Sequence, residues 1–314
     1  MNSKVKGTLC GIAAAVCYGT NPLGAMNLYA DGMTPNTVLV YRFGLAALIL
    51  AVMMVVQHKS FALSRGELGL LAILGVLMGS SSSSLYFSFN YMDVGIASTL
   101  LFVYPVMVAV IMATMFHERV TVATVLSIGL ALGGIALLNH SENGSALSRM
   151  GVLLVMISSL TYAVYIVIVN QSSLRMSSVK LTFYVLFFGV LAILAFTYST
   201  GGHVQLLTTP RQWAYALQLA IVPTVLSLVL MVIAVHDIGS TPTAIMGALE
   251  PLTAVAIGVM VFGEQFTPRL AVGIVLILTA VVLIVVGKDV SPRKVVRAIA
   301  HVGQRLLHKT WRWK

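Results

Sequence analysis

Two ionisable side chains, Arg42 and Glu250, lie inside stretches of sequence that otherwise carry no charge. An arginine at the centre of a membrane-spanning helix costs about 2.5–3.5 kcal/mol, and charges at such depth usually mark functional sites. The planar guanidinium of Arg42 can bind a carboxylate through two parallel hydrogen bonds. Glu250 can hold an ammonium group, or bind and release a proton. We therefore predict a substrate site at Arg42 and Glu250, with Glu250 also as the proton-coupling residue.

A structural role is open for each of these two residues. Arg42 lies close enough to the end of its apolar stretch to extend outward or to pair with Asp31. Glu250 could be a neutral carboxyl that hydrogen-bonds to backbone freed by Pro251. The sequence does not show whether Arg42 and Glu250 pair.

Further polar and aromatic residues within the apolar stretches are candidates to line the same site. Tyrosines offer both stacking faces and hydroxyl groups. Five consecutive serines, 80–84, cover every face of a helix, so one or two are expected to reach a cavity and the others to pack closely against neighbours. The remaining substrate-binding candidates are Ser83, Asn21, Asn90, Tyr104, Tyr162 and Tyr165.

Four prolines interrupt the apolar stretches and are predicted to be hinges: Pro22, Pro105, Pro223 and Pro251. Each proline removes one backbone donor and leaves one carbonyl unpaired. In transporters such breaks occur where backbone lines a cavity. A tolerated packing kink is the alternative for any single proline.

The composition excludes both a soluble enzyme and a disordered chain, since 59% of the 314 residues are hydrophobic and only 9% are charged. Spanning the bilayer takes about 20 apolar residues. The motifs of nucleotide loops, zinc sites and nucleophile elbows are missing, so we expect neither an enzyme nor a bound cofactor or metal. The hydropathy pattern predicts an all-α integral membrane protein with ten transmembrane helices: 7–29, 37–57, 68–91, 96–116, 122–138, 150–169, 181–199, 213–235, 241–262 and 270–286.

The distribution of Lys and Arg predicts a cytoplasmic N-terminus and C-terminus in a cell inner membrane. With that orientation, fifteen of the nineteen basic residues fall on the cytoplasmic side. Many of them lie in residues 289–314, a basic segment that reads as an amphipathic helix on anionic lipid rather than as a nucleic-acid site. A disordered tail is the alternative.

Two halves of the chain resemble each other. Around His117-Glu118-Arg119 and Gly263-Glu264-Gln265, the sequence repeats with an offset that also places Pro105 on Pro251. We therefore divide the chain into a first repeat, 1–144, and a second repeat, 145–288. Because each repeat has five predicted spans, the second enters the membrane from the opposite side, which is the arrangement that supplies alternating access.

Ten helices in two inverted repeats, with a proline in spans four and nine followed thirteen residues later by a glutamate, resemble the EamA family of the drug/metabolite transporter superfamily. The matching pairs are Pro105 with Glu118 and Pro251 with Glu264. The resemblance implies transport of small polar metabolites, often amino acids, through a central cavity.

The predicted function is secondary transport of small polar organic solutes, most simply export of amino acids or related metabolites. Two alternatives stay open at this point. One is a passive facilitator or uptake carrier, and the other is a membrane receptor or scaffold that binds a ligand without moving it. The predicted partners are the small-molecule substrate and membrane lipids, and the sequence does not indicate an oligomeric state.

Overall fold

A computed structural model describes residues 3–117, 122–138, 148–172, 174, 176–239, 243 and 246–287. All regular structure in these ranges is helical. The helices are α1 Ser3–Gly19, α2 Asn21–Ala30, α3 Pro35–Val56, α4 Arg65–Ser88, α5 Val94–Leu101, α6 Tyr104–Met115, α7 Val122–Leu138, α8 Arg149–Gln171, α9 Ser178–Ser199, α10 Pro210–Ala220, α11 Ser227–Ile238, α12 Leu249–Phe262 and α13 Pro268–Gly287.

Seven of these helices, or pairs of consecutive helices, are long and apolar enough to cross a membrane, and three shorter apolar helices accompany them. The periphery of the bundle exposes large apolar side chains such as Leu48, Val52 and Met260. Such a surface is stable in lipid and not in water. The chain is therefore a multi-pass membrane protein, and the shorter helices leave the predicted number of ten spans as a proposal.

Local sequence explains where several helices begin. Ser64 and Glu67 form a reciprocal capping box at the start of α4, and Thr209 and Gln212 form another at the start of α10. At the start of α3, the Thr34 hydroxyl accepts a hydrogen bond from the N–H of Thr37. These caps satisfy backbone donors that a helix start leaves unpaired.

Helix breaks occur at the prolines that the sequence singles out. Pro22 and Pro105 are the second residues of α2 and α6, just after the turns that separate them from α1 and α5. Pro223 lies in a π-helical turn, Ile221–Leu226, between α10 and α11. Pro251 is the third residue of α12. The chain therefore has backbone irregularities where four spans pass through the interior of the bundle.

Helix packing has the symmetry of two exchanged halves. Two contacts join helices in equivalent positions of the two halves, α7 with α13 and α3 with α9, and a third, α5 with α12, joins the equivalent spans that contain Pro105 and Pro251. Four further contacts form two pairs, and exchanging the two halves turns one member of a pair into the other. The contact of α4 with α8 corresponds to that of α11 with α1, and the contact of α4 with α9 corresponds to that of α10 with α3. This pattern is what a pseudo-two-fold axis between two related halves produces.

Glycines allow the closest of these contacts. A Cβ on Gly19 would lie 2.6 Å from the carbonyl oxygen of Glu250, and one on Gly75 would overlap the side chain of Phe188. Small residues let helices approach in a membrane, where packing rather than the hydrophobic effect drives their association. Gly19 thereby brings α1 against the start of α12.

Contacts between helix ends and loops distinguish two faces of the bundle. An ion pair of 3.8 Å joins Lys6 near the start of α1 to Asp237 at the end of α11. On the same face the Lys180 Nζ donates to the carbonyl of Ala62 at 2.7 Å. We call this the N-terminal face. On the opposite face Arg211 pairs with Asp31 at 4.0 Å.

The opposite face also carries a contact between the two halves. The Glu264 carboxylate accepts hydrogen bonds from the N–H groups of Val94, at 2.6 Å, and Gly95, at 3.1 Å, at the start of α5. Burial raises the pKa of the Glu264 carboxyl, while the two backbone hydrogen bonds act to lower it. The matching glutamate of the first repeat, Glu118, lies outside the described residues, as does the 289–314 tail.

We expect Glu264→Ala to lower the free energy of unfolding by about 1 kcal/mol, because it leaves two helix N–H groups without an acceptor. Since the raised pKa means that the folded protein binds the proton more tightly than the unfolded chain, stability should fall as the pH rises from the usual glutamate range through the folded pKa. Reversible unfolding in mixed micelles at several pH values measures both effects. Glu264→Gln keeps one acceptor and should lack this pH dependence; if it retains the full dependence, another group is responsible.

Candidate substrate cavity

A cavity of about 220 Å³ lies inside the bundle, between α1, α3, α4, α8, α9, α11 and the π-helical turn. Its volume corresponds to roughly seven water molecules at about 30 Å³ each, enough for a small organic solute. The residues that line it are Tyr18, Arg42, Phe43, Met78, Ser82, Tyr162, Tyr165, Thr182, Val185, Leu186, Pro223, Thr224, Ser227, Leu228 and Met231.

A smaller pocket of about 30 Å³ adjoins this cavity and shares Tyr18, Arg42 and Tyr162 with it. Its wall includes Asn21, Tyr104 and Glu250. Each of these three residues directly precedes a proline and lies at or next to the first position of a helix that begins inside the bundle. At each of these three helix breaks, a side chain from the start of the following helix therefore lines the smaller pocket.

Arg42 is held at the junction of the two pockets and is only 4% exposed. Its Nη1 donates to the Tyr86 hydroxyl at 3.0 Å, and its Nε donates to the Thr224 hydroxyl at 3.1 Å. These bonds engage two of the five N–H donors of a guanidinium, so the group keeps donors for a further acceptor. Asp31 pairs with Arg211 instead, so the alternative of an outward-reaching Arg42 paired with Asp31 is wrong.

Aromatic rings surround the Arg42 guanidinium. Its central carbon lies 5.9 Å from the ring centre of Tyr18, 5.6 Å from that of Phe43 and 5.7 Å from that of Tyr86. Ring faces attract a cation at such distances and partly compensate for its lost hydration. The charge is therefore stabilised without an ion pair to any carboxylate among the described residues.

The backbone carbonyls that would pair with the missing N–H of a proline accept hydrogen bonds from side chains instead. A helix would pair the carbonyl of Tyr18 with residue 22 and that of Leu219 with residue 223, and both of these are proline. The Asn21 Nδ2 donates to the Tyr18 carbonyl at 2.8 Å, and the Thr224 hydroxyl donates to the Leu219 carbonyl at 2.9 Å.

The break at Pro105 is stabilised in the same way. The carbonyl of Leu101, four residues earlier, accepts a hydrogen bond from the hydroxyl of Ser159 on α8 at 3.1 Å. At the fourth break, the backbone N–H of Glu250 donates to the Gly247 carbonyl at 3.0 Å. The backbone at each proline is therefore stabilised, which explains how the breaks persist in a membrane.

The Glu250 side chain forms no hydrogen bond or ion pair with the residues that the structure describes, and Arg42 lies on the wall of the same small pocket. Arg42 and Glu250 therefore face one pocket without forming a direct ion pair. Glu250 lies in the first turn of α12, where the helix dipole favours a negative charge.

The cavity extends toward the N-terminal face and is closed toward the opposite face. Thr182 lies four residues after the start of α9 on the N-terminal face, which at 1.5 Å per residue is about 6 Å from that helix end. Toward the opposite face, Tyr86 is fully buried and contacts the rings of Tyr29 and Phe89. Its hydroxyl lies 3.4 Å from the Asn21 Oδ1 and donates to it.

Most of the residues singled out in the sequence line these two pockets, namely Arg42, Glu250, Asn21, Tyr104, Tyr162 and Tyr165. Two do not. Ser83 lines a separate groove between α4, α8 and α9, together with Ser80 and Ser84, and Asn90 is exposed beyond the end of α4. The prediction that Ser83 and Asn90 line the site is therefore corrected. The serines that face the pockets are Ser81 and Ser82, because the packing of α4 against α8 turns that side of the helix inward.

Two residues that hold Arg42 were not singled out in the sequence, Tyr86 and Thr224. Thr224 could have been found, because it is a hydroxyl residue directly after an intramembrane proline. Tyr86 had no such signal. Among the described residues, no cluster of three or more His, Cys, Asp or Glu side chains could hold a metal ion.

Comparisons with known proteins agree with this architecture. A protein of Archaeoglobus fulgidus named an uncharacterized transporter is 29% identical over 191 residues, which is 61% of this chain and 67% of that protein. A protein of Clostridium kluyveri with the same name is 23% identical over 282 residues, covering 87% of this chain and 91% of that protein. One solved crystal structure has a TM-score of 0.64 at 16% identity, covers 89% of this chain and 96% of its own, and so shares the fold.

The model of the EamA-like transporter family matches the chain twice, over residues 5–140 and 149–286. The two matches coincide with the two halves that exchange in the helix packing. Together they cover nearly all of the chain outside its basic tail. The protein therefore belongs to the EamA-like transporter family.

Proposed function

We propose that this protein is a secondary active transporter of small polar organic solutes, most simply an exporter of amino acids or related metabolites. The observation that carries the proposal is the pair of adjoining pockets inside the bundle: one cation, Arg42, lines both of them, and one carboxyl, Glu250, lines the smaller one. An amino acid zwitterion carries the complementary pair, a carboxylate for the guanidinium and an ammonium for the carboxyl. The surrounding tyrosines supply further hydroxyls and ring faces.

Ten spans in two inverted repeats would move such a solute by alternating access. The exchange symmetry of the helix contacts supports two equivalent conformations, each with the cavity extended toward one face. With the N-terminus in the cytoplasm, the N-terminal face is cytoplasmic, and the present conformation then faces inward. The prolines at the four breaks serve as hinges in this proposal, because the backbone there is already irregular.

The proposed location is the inner membrane, with both termini in the cytoplasm. The basic residues of 289–314 would bind anionic lipid there, at about 1 kcal/mol for each residue near the surface.

Counterflow in proteoliposomes tests the proposal. Vesicles that contain the purified protein and a saturating unlabelled amino acid are diluted into a trace of labelled L-alanine, L-threonine or L-phenylalanine. We expect transient accumulation of label for at least one of them, and protein-free vesicles set the background. Ligand binding without flux would indicate a receptor, whereas flux that only equilibrates under an imposed pH gradient would indicate a passive facilitator.

A further inference from the structure

The hydrogen bonds around Arg42 form one continuous chain between two helix breaks. From the guanidinium, one arm passes through the Tyr86 hydroxyl to the Asn21 Oδ1, and the Asn21 Nδ2 ends that arm on the Tyr18 carbonyl. The other arm passes through the Thr224 hydroxyl to the Leu219 carbonyl. Each arm therefore ends on a backbone carbonyl that lies four residues before a proline and so lacks its helical N–H donor.

The direction of each bond follows from the available protons. A guanidinium has only donors, so the hydroxyls of Thr224 and Tyr86 must accept from it. Each hydroxyl has a single proton, which is then available only for its second partner. In Thr224 this proton goes to the Leu219 carbonyl, and in Tyr86 it goes to the Asn21 amide oxygen. A change at either end therefore alters the bond to the guanidinium.

We propose that Thr224 is a positioning residue that couples the orientation of the Arg42 guanidinium to the π-helical turn between α10 and α11. Tyr86 and Asn21 provide the corresponding link to the break between α1 and α2. A solute carboxylate would bind the guanidinium donors that these bonds leave free, and a rotation of the guanidinium on binding would act on both hydroxyls and through them on both breaks. This deepens the proposed function and rests on it for the identity of the ligand group.

The coupling connects solute binding to two spans whose helices are interrupted. α1 packs on α11, and the π-helical turn contacts both α1 and α3, so the two breaks lie on adjoining helices. A π-helical turn differs from an α-helix by one residue per turn, and its removal would shift the register of the following helix. A solute at the Arg42 site can thus bias two backbone breaks through the hydrogen bonds of the guanidinium.

The test compares Thr224→Val, which is close in shape and lacks the hydroxyl, with Thr224→Ser, which keeps it. In protein labelled with ¹⁵N-arginine, the Nε–H signal of Arg42 is identified by its loss in Arg42→Lys. We expect Thr224→Val to shift this signal and to speed its hydrogen exchange about tenfold, as loss of one charge-assisted bond implies. Thr224→Ser should resemble the parent protein.

Pro223→Ala tests the coupling itself, because it gives Leu219 a backbone donor and frees the Thr224 proton. We expect this variant to shift the Arg42 Nε–H signal although residue 223 donates nothing to the guanidinium. An unchanged signal in both Thr224→Val and Pro223→Ala would overturn the proposal, since a purely structural Thr224 would lower stability without altering Arg42.

Transport of labelled L-alanine provides the second measurement. Thr224→Val should raise KM about tenfold with a maximal rate within about twofold, and Thr224→Ser should restore KM. If no variant and no parent protein transports L-alanine, the proposed function fails for this solute, while the Arg42 signal still decides the positioning role.

Discussion

Arg42→Ala is expected to weaken binding of carboxylate-bearing solutes by about 100-fold, the value of two charge-assisted hydrogen bonds at close to 1.4 kcal/mol each. No other Lys or Arg among the described residues lines either pocket, so no second cation can replace it. Folding should be affected less. Without the guanidinium, the Tyr86 and Thr224 hydroxyls keep their acceptors, the Asn21 amide oxygen and the Leu219 carbonyl. The measurement is the concentration dependence of counterflow, with unfolding followed in parallel.

Two variants control this result. Arg211→Ala removes a guanidinium from the face opposite the N-terminal face, where its side chain is 60% exposed and pairs with Asp31, and it should leave transport unchanged. Arg42→Lys keeps the charge but loses the planar fork, and intermediate affinity is expected. Equal affinity in Arg42→Ala and the parent protein would leave Arg42 with the structural role alone.

Glu250→Gln is expected to abolish concentrative transport driven by a pH gradient. The side chain faces the small pocket and makes no bond to the described residues, so it is free to exchange a proton or to hold an ammonium group. Glutamine has nearly the same shape and cannot ionise, which separates the charge from the packing. The measurement is accumulation of a transported amino acid in proteoliposomes with and without an imposed pH gradient.

Solute exchange without a gradient distinguishes the two roles of Glu250. If Glu250→Gln retains exchange and loses only accumulation, the carboxyl couples transport to protons; if exchange is lost as well, it also holds the solute. Glu67→Gln is the matched control, because this glutamate lies in the capping box of α4 and glutamine serves equally at that position. A gradient-independent flux in the parent protein that Glu250→Gln does not alter would remove proton coupling.

Several features of the site follow from residue type and depth alone. A charge within an apolar stretch has no water to solvate it, so Arg42 and Glu250 could be recognised without coordinates. Prolines break helices through their own missing N–H, which made Pro22, Pro105 and Pro223 recognisable as break points. The repeat also appears in the sequence, and the family model confirms it by matching both halves.

Which side chains of a helix line the pockets depends on how the neighbouring helices pack against it. Hydropathy gives the depth of a residue in the membrane but not the direction in which its side chain points. In the run of five serines every direction is occupied, and the packing of α4 on α8 selected Ser81 and Ser82 and left Ser83 in a separate groove. Asn90 was misplaced because α4 ends at Ser88, just before it.

The amino-acid order was sufficient for the membrane class, the paired halves, the proline breaks and the two buried charges, because each depends on local chemistry or on spacing along one chain. The partners of Arg42 required the folded molecule. Tyr86 and Thr224 are separated by 44 and 182 residues from it, and such contacts exist only after the helices have assembled. A hydrogen bond depends on positions within a few tenths of an ångström, which only the packing of several helices together can set.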